Sequence, residues 1–324
     1  MKQIAVLWIA VCWAMLGTSA LAADSYPVKP VRMIVPYVAG GNGDIQARYI
    51  ADRLSDALGK QFIVDNRGGA NGIIGLELAA RSPADGYTLV FVANTYTVTP
   101  SLVAKVPYDT IRDFQPITLV GETPELFVGN SGLAANNVKE LIALAKTRPG
   151  ELNYGSSGNG SPSHLSGALF DLLTGVKLTH IPFKGMAQSN VGVMTGQIQL
   201  GFPSLTSVLP LVKAGKIKAF AITTKKRSSI APDIPTMEEA GVRGYESSIW
   251  NGMLAPTGTP KSIVNRLHET TVQILKSPQA AERYANVGAE IRYNSPDEFA
   301  VLIRNEMAKW AKVVKAAGIR SDEK

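Results

Sequence analysis

Residues 31–58 read V-R-M-I-V-P-Y-V-A-G-G-N-G-D-I-Q-A-R-Y-I-A-D-R-L-S-D-A-L, a strand that runs through a glycine-rich turn into a helix. The segment from Arg32 to Tyr37 is short and mostly apolar and contains Pro36 as its terminator, which is typical of a buried strand in an α/β sheet. Apolar side chains then recur along one helix face, and Gly59 is placed to end that helix. These apolar positions are Ala47, Ile50, Ala51, Leu54 and Leu58.

The turn itself contains Gly40, Gly41 and Gly43, which let the backbone bend sharply and approach a ligand closely. Asp44 is placed to cap the first helical turn. Backbone N–H groups and the positive end of the helix dipole would then face a crevice at the carboxyl ends of the strands, which predicts an anion site. The same residues are equally consistent with a tight strand-to-helix connection alone. A nucleotide is not expected, because the glycine spacing matches neither the dinucleotide-binding pattern nor the P-loop.

The chain of 324 residues is long enough for two domains after an export signal. The signal peptide is predicted from a positive Lys2, an apolar segment from Ile4 to Leu16, and a small-residue cleavage site ending at Ala22. We therefore expect the protein to be exported, with residues 1–22 removed. The single cysteine, Cys12, lies in a segment resembling a lipoprotein box, but Val11 stands where a small residue is needed, so lipid anchoring is the weaker alternative.

The formal net charge is +7. Basic residues are scattered among acidic ones and are not interleaved with aromatic residues, so we expect no nucleic-acid partner. A mild positive field favours an anionic solute. We expect the mature protein to be a monomer.

A second glycine-rich turn, G-S-S-G-N-G-S-P-S-H, runs from Gly155 to His164 after a short predicted strand. Ser161 followed by Pro162 is a good start for a helix. The hydroxyl groups of Ser156, Ser157 and Ser161 add donors to those of the backbone. Two turns of this kind, each opening its own α/β unit, strengthen the prediction of an anion site.

The polar run from Asn94 to Thr97 follows another predicted strand and should lie at the same sheet edge as the first turn. Its amide and hydroxyl groups could bind a carboxylate, and the alternative is an ordinary loop with satisfied hydrogen bonds.

The order of elements predicts two α/β lobes, each a mostly parallel sheet flanked by helices. The first lobe is assigned residues 23–124 and 247–324, and the second lobe residues 125–246. The last three predicted helices are expected to pack on the first lobe. Two chain crossings, near Thr123 and Ser247, predict a hinge between two lobes and a cleft that closes on a ligand.

Catalysis and metal binding have weak support. The three histidines, His164, His180 and His268, form no close metal pair, so neither a metal nor a cofactor is expected. His164 could act as a base for Ser161 or Ser157, which keeps an exported serine hydrolase as an alternative, although no acid is evident to orient the histidine. The other interpretations of His164 are a donor facing the cleft or packing beneath the turn.

The chain resembles the Bug-type extracytoplasmic solute receptors, the substrate-binding proteins of tripartite tricarboxylate transporters in Bordetella and related bacteria. The resemblance covers essentially the whole mature chain. It rests on Y-P-x-K-P at 26–30, I-V-P at 34–36, G-G-x-x-D-x-x-A-R at 40–48, D-N-R at 65–67, D-G-Y-T-L at 85–89, L-N-Y-G-S-S-G-N-G at 152–160, K-A-G-K at 213–216, P-x-G-T-P at 256–260 and W-x-K-V-V-K-A-A-G-I at 310–319.

The resemblance implies a periplasmic binding protein of the type II, flytrap-like kind. Such a receptor holds a small carboxylate between two lobes and presents it to membrane permease subunits. It also implies that both glycine turns contribute ligand contacts. A sensor without a transport role needs the same cleft and is a further alternative. The candidate ligand contacts are Tyr37, Val38, Ala39, Gly40, Gly41, Asn42, Gly43, Asp44, Asn94, Thr95, Tyr96, Thr97, Ser156, Ser157, Gly158, Asn159, Gly160, Ser161, His164, Phe183, Pro203 and Trp250.

Three departures from the family pattern concern the ligand. Ala39, Phe183 and Pro203 stand where many members have Pro, Tyr and Asp. The loss of an acid and a phenol hydroxyl predicts a carboxylate ligand without a cationic amine. An apolar or aromatic body would then lie near Tyr37, Tyr96, Phe183 and Trp250.

Overall fold

The computed structural model of the protein describes residues 26–320. The predicted signal peptide therefore lies outside the described residues. The strands are β1 (Val31–Val35), β2 (Phe62–Asn66), β3 (Thr88–Ala93), β4 (Phe114–Pro124), β5 (Leu126–Asn130), β6 (Asn153–Ser156), β7 (Thr179–Pro182), β8 (Leu200–Gly201), β9 (Ile217–Ile222) and β10 (Ser248–Pro256). The helices are α1 (Asn42–Leu58), α2 (Ile73–Ala80), α3 (Thr95–Leu102), α4 (Val138–Thr147), α5 (Pro162–Thr174), α6 (Met186–Thr195), α7 (Leu205–Lys213), α8 (Lys261–Leu275), α9 (Pro278–Asn286) and α10 (Pro296–Ala317).

Two five-stranded sheets form, in the orders β2-β1-β3-β10-β4 and β7-β6-β8-β5-β9. In each sheet one strand runs antiparallel to both of its neighbours: β10 in the first and β5 in the second. The other four strands share one direction, as predicted for a mostly parallel sheet. The carboxyl ends of β1 and β3 therefore lie at one edge of the first sheet, and those of β6 and β8 at one edge of the second.

The two reversed strands both begin at a crossing between the lobes. Only Glu125 separates β4 from β5, and Ser247 immediately precedes β10. Thr223 joins the crossings, because its N–H donates to the Glu125 carbonyl and its own carbonyl accepts from the Ser247 N–H. The crossings are thus adjacent in space, which suits a hinge.

Glu125 is fully buried at this junction. Its Oε2 accepts a hydrogen bond from Ser166 of α5 at 2.6 Å and lies 3.4 Å from the hydroxyl of Ser247. Burial raises the pKa of Glu125 to about 7, although the two serine hydroxyls act in the opposite direction. The hinge therefore contains a carboxyl group that titrates near neutral pH.

The closing helices are expected to pack on the first lobe, but the last of them packs on both lobes. A capping box formed by Ser295 and Glu298 begins this helix, and Phe299 packs in the first-lobe core. In its C-terminal half, Trp310, Val313 and Val314 are buried in the cluster that contains the second-lobe residue Phe127. Helix α10 therefore joins the two hydrophobic cores.

Candidate functional site

The first glycine turn leaves the N-terminus of α1 without a side-chain cap. The N-cap residue is Gly41, which has no side chain to accept a hydrogen bond. The N–H groups of the first helical turn have no acceptor within the helix, so those of Asn42 and Gly43 are available to a ligand. The turn from Val38 to Asn42 is exposed. An open helix N-terminus in an exposed turn is the arrangement that the predicted anion site requires.

Asp44 was expected to cap α1, and this expectation is wrong. Its carboxylate turns back to accept hydrogen bonds from the Gly40 N–H at 2.9 Å, from Asn66 at 2.9 Å and from Arg48 at 3.0 Å. Burial alone would raise the pKa of Asp44, but the hydrogen bonds from Arg48, Gly40 and Asn66 outweigh burial and lower it. Asp44 thus fixes the shape of the turn while lying buried behind it.

The polar run after β3 lies beside the first turn, as expected, but it forms the start of α3 and not a loop. The Tyr37 hydroxyl accepts a hydrogen bond from the Ala93 N–H at 2.6 Å and lies 3.1 Å from Thr95 Oγ1. Threonine hydroxyls within the helix bond back to its own carbonyl groups, as Thr97 does to Asn94. Tyr37 therefore connects the first turn to the start of α3 at Thr95.

Two aromatic residues predicted to contact the ligand, Tyr96 and Trp250, lie in the core instead. Tyr96 is 1% exposed, donates to the Thr110 carbonyl and meets the ring of Phe114 edge-on. Trp250 is 3% exposed and packs edge-on against Phe299 of α10. Both rings belong to the first-lobe core, so neither lines the cleft.

Sequence reasoning missed Asn251, the neighbour of Trp250 in β10. A Cβ built on Gly43 would lie 3.3 Å from Asn251 Oδ1 and 3.8 Å from the Tyr37 ring. Asn251 is 2% exposed. The available signal was a single amide within an otherwise mostly apolar strand that directly follows a lobe crossing.

The second glycine turn uses many of its own donors. The Ser157 N–H donates to Ser163 Oγ, and the Gly158 N–H donates to Ser156 Oγ. Ser161 caps α5 by accepting from the His164 N–H at 3.4 Å, and its hydroxyl donates to the Gly158 carbonyl at 2.7 Å. The predicted cap is confirmed, and it removes a donor that was expected to serve a ligand.

His164 lies beneath the second turn and does not point at a nucleophile. Its Nδ1 accepts a hydrogen bond from the Gly160 N–H at 3.1 Å, and its ring stacks on His180 with centroids 3.6 Å apart. His180 Nε2 lies 2.6 Å from the hydroxyl of Ser156, which is fully buried. Burial lowers the pKa of His180 to about 4, so it is neutral at pH 7. These contacts support the turn and leave no exposed Ser-His pair.

The two remaining second-lobe candidates occupy different places. Phe183 is half-buried, and its ring would lie 3.2 Å from a Cβ on Gly155. Its N–H donates to the carbonyl of Ser156, which places it beside the second turn. Pro203 is buried, and its carbonyl accepts from the Leu126 N–H at the start of β5. Phe183 is therefore available to a cleft ligand, whereas Pro203 belongs to the crossing.

Contacts between the two lobes lie next to both glycine turns. Leu102, at the end of α3, lies 2.8 Å from the position that a Cβ on Gly160 would take. On the other side, Thr206 of α7 approaches Gly288, and Asn42 of the first turn donates to the neighbouring Val287 carbonyl. The second turn thus contacts the first lobe, and the first turn lies near a contact between the two lobes.

Fold and site together define a two-lobed binding protein. Across residues 26–320, no three His, Cys, Asp or Glu side chains are grouped as a metal ion would require. None of the helices in that range is long and apolar enough to cross a membrane.

The chain belongs to the tripartite tricarboxylate transporter receptor family, whose sequence pattern matches residues 46–319. It is 35% identical to Protein BugT of Bordetella pertussis, over 98% of each chain. A Rhodopseudomonas palustris protein, Rpa4515, solved with adipate is 38% identical and superposes with a TM-score of 0.74, covering 91% of this chain and 99% of that one. MatC from the same organism, solved with bound malate, is 29% identical with a TM-score of 0.70, covering 89% and 100%.

Membership of this family confirms the resemblance found in the sequence. The protein is a solute-binding receptor and not an enzyme, so the serine hydrolase alternative is not supported. The two-lobed α/β fold is confirmed by the same structures.

Proposed function

We propose that this receptor captures a small organic carboxylate in the periplasm and delivers it to the permease of a tripartite tricarboxylate-type transporter. The observation that carries the proposal is the uncapped N-terminus of α1 in the exposed first turn, where Gly41 is the N-cap. A carboxylate there would accept hydrogen bonds from backbone N–H groups. When partly buried, it would also be stabilised by the helix dipole by up to about 2 kcal/mol. The adipate and malate of the two related structures are both dicarboxylates.

The ligand body is expected between Tyr37 of the first lobe and Phe183 of the second. Tyr96 and Trp250 are buried in the core. Only Tyr37 and Phe183 therefore remain of the four predicted aromatic contacts. Because Pro203 is buried at the crossing, the acid missing at that position no longer argues against a ligand with a cationic amine.

Isothermal titration calorimetry on the chain from Ala23 onward tests the proposal. We expect one or more members of a panel of mono- and dicarboxylates, including adipate and malate, to bind, and the corresponding neutral amides not to bind. Binding of an amide as tight as that of its acid would contradict an anion site at α1.

Two glycines at opposite ends of α1 supply a matched pair of variants. Gly40 and Gly59 both have positive φ, at +85° and +71°, and open space around a built Cβ. Alanine at either position adds similar backbone strain, of about 1 kcal/mol. Gly40→Ala is expected to weaken carboxylate binding, whereas Gly59→Ala is expected to leave it unchanged. Equal effects would show that the first turn is not the binding element.

Delivery is tested by uptake of the acid identified by calorimetry. Deletion of the receptor gene should abolish uptake through the cognate permease, and the intact gene should restore it. If uptake persists while a transcriptional response to the acid is lost, the sensor alternative is correct.

A further inference from the structure

Two buried amide side chains lie beneath the N-terminus of α1. Asn251 is 2% exposed and Gln46 is 1% exposed. Neither Asn251 Oδ1 nor either amide atom of Gln46 has a hydrogen-bond partner among the described residues. Buried polar atoms in native proteins are nearly always paired, so this cluster requires an explanation.

Successive side chains of a strand point to opposite faces of the sheet, so Asn251 and its neighbour Trp250 face opposite sides. Trp250 packs towards α10, which directs the next side chain of β10 to the opposite face of the sheet, where α1 lies. The separation of 3.3 Å between Asn251 Oδ1 and a Cβ on Gly43 places the amide next to the uncapped helical turn.

Gln46 lies one turn further along α1, at the i+3 position from Gly43, and therefore on the same side of the helix. It faces Gly121 of β4, since a Cβ there would lie 3.3 Å from Gln46 Oε1. Gly121 is also the residue paired with Asn251 across the β4–β10 ladder. The two amides thus adjoin one short piece of sheet behind the anion site.

The unpaired atoms include acceptors as well as a donor. A carboxylate only accepts hydrogen bonds, so it can use the N–H groups of α1 but offers nothing to Asn251 Oδ1. A hydroxyl group both donates and accepts, and therefore matches the acceptor of Asn251 and the donor of Gln46. An ammonium group would call for an acid, and the carboxylate of Asp44 is already bonded to Gly40, Asn66 and Arg48.

We propose that Asn251, with Gln46 beside it, recognises a hydroxyl group on the carbon next to the bound carboxylate, so that the receptor prefers 2-hydroxy acids. The preference rests on the proposed function, since it assumes that a carboxylate occupies the N-terminus of α1. It adds a specificity residue from the hinge strand to the two glycine turns.

Calorimetric titration of matched acid pairs tests the preference. Each pair differs only in the hydroxyl group: lactate and propionate, malate and succinate, mandelate and phenylacetate, with both enantiomers of each hydroxy acid. For the pair whose length fits the cleft, the hydroxy acid is expected to bind at least tenfold more tightly. Asn251→Leu should bring that ratio close to one while changing the affinity of the unsubstituted acid less than threefold.

Thr123→Val provides the control variant. Thr123 is 2% exposed, and its hydroxyl has no partner among the described residues, but it lies on β4 beyond Gly121. Its replacement should leave the ratio unchanged. A purely structural Asn251 would make Asn251→Leu melt at a lower temperature, whereas a recognition role predicts an equal or higher melting temperature.

The outcomes separate the two proposals. If unsubstituted acids bind as tightly as hydroxy acids, this inference is overturned and the receptor proposal stands. If the ratio persists in Asn251→Leu, Asn251 is not the recognition group. If no acid of any pair or of the wider panel binds, the proposed function itself fails. Should Asn251→Leu not fold, Asn251→Ala removes the amide without adding bulk and gives the same test.

Discussion

The two glycine-rich turns look alike in sequence and differ in what they leave open. In the first turn the N-cap is Gly41. The shape of this turn is held by the Asp44 carboxylate, which accepts a hydrogen bond from the Gly40 N–H. In the second turn the N-cap is Ser161, and hydroxyl groups and His164 take up several backbone N–H groups. The first turn therefore offers donors to a ligand, and the second offers mainly shape.

Part of the difference follows from the N-cap residue of the helix that each turn opens. Serine at an N-cap satisfies one of the unpaired donors of its helix, and glycine satisfies none. Glycine costs only a few tenths of a kcal/mol relative to serine there. An open helix N-terminus is thus obtained at little expense in stability.

The largest expected effect concerns the hinge between the two turns. Burial raises the pKa of Glu125 from its ordinary 4.5 to about 7. The folded state then binds more protons than the unfolded state above pH 4.5, so the free energy of unfolding falls as pH rises through about 7. The expected loss by pH 8 is about 3 kcal/mol.

Urea unfolding at pH 5 and pH 8 measures this loss, and Glu125→Gln should remove it. Because Ser166 lies on α5, hydrogen exchange at high pH should increase in α5 before it increases in α1. A wild-type and a variant protein with the same pH dependence would contradict the assignment.

The next effect concerns the restraint of the first turn. Asp44→Asn should lower carboxylate affinity by about 2 kcal/mol, or roughly thirtyfold, because hydrogen bonds to a charged group are lost and the turn loosens. A simple charge argument predicts the opposite, since a negative charge is removed beside an anion. Calorimetry distinguishes the two by the sign of the change.

Asp56→Asn is the control for Asp44. Asp56 lies on the same helix, is exposed and pairs with Arg53 at 3.1 Å. Its replacement removes the same charge without touching the turn, so affinity should not change. Tighter binding by Asp44→Asn would overturn the restraining role.

The smallest effect concerns the second turn. Ser161→Ala should lower the free energy of unfolding by about 1 kcal/mol, because the N-cap is lost. Ligand affinity should stay within threefold of the wild type. Ser295→Ala removes the cap of α10, remote from the cleft, and should cost a similar amount by urea unfolding. A tenfold loss of affinity in Ser161→Ala alone would mean that the second turn binds the ligand as the first does.

Much of the fold was predictable because it depends on local signals. Glycine turns, N-caps and the period of apolar residues identified both sheets. The first crossing was predicted near Thr123, within two residues of Glu125, which separates β4 from β5. The second was predicted near Ser247, the residue before β10. The start of α3 was missed because Asn94 to Thr97 is rich in residues that favour turns, and its threonines satisfy their hydroxyls within the helix.

The site was predictable only where the backbone forms it. The direction of Trp250 and Asn251 depends on which face of the sheet each strand residue presents, and a register shift of one residue reverses it. The direction of Tyr96 depends on which face of helix α3 packs against the first-lobe core. The role of Asp44 depends on Asn66 and Arg48 meeting it in space. Such contacts arise from tertiary packing and have no local sequence pattern.

The measurement that tests the central claim is carboxylate affinity in Gly41→Ser compared with Gly41→Ala. Gly41 has an extended backbone, with φ −74° and ψ 166°. A Cβ there would lie 3.8 Å from the Val38 carbonyl oxygen, an ordinary contact. Either side chain therefore fits, and only serine can cap α1.

We predict that Gly41→Ser loses at least tenfold in affinity while its free energy of unfolding rises by a few tenths of a kcal/mol. Gly41→Ala should remain within threefold of the wild-type affinity. If Gly41→Ser binds its acid as tightly as Gly41→Ala does, the open N-terminus of α1 is not the anion site.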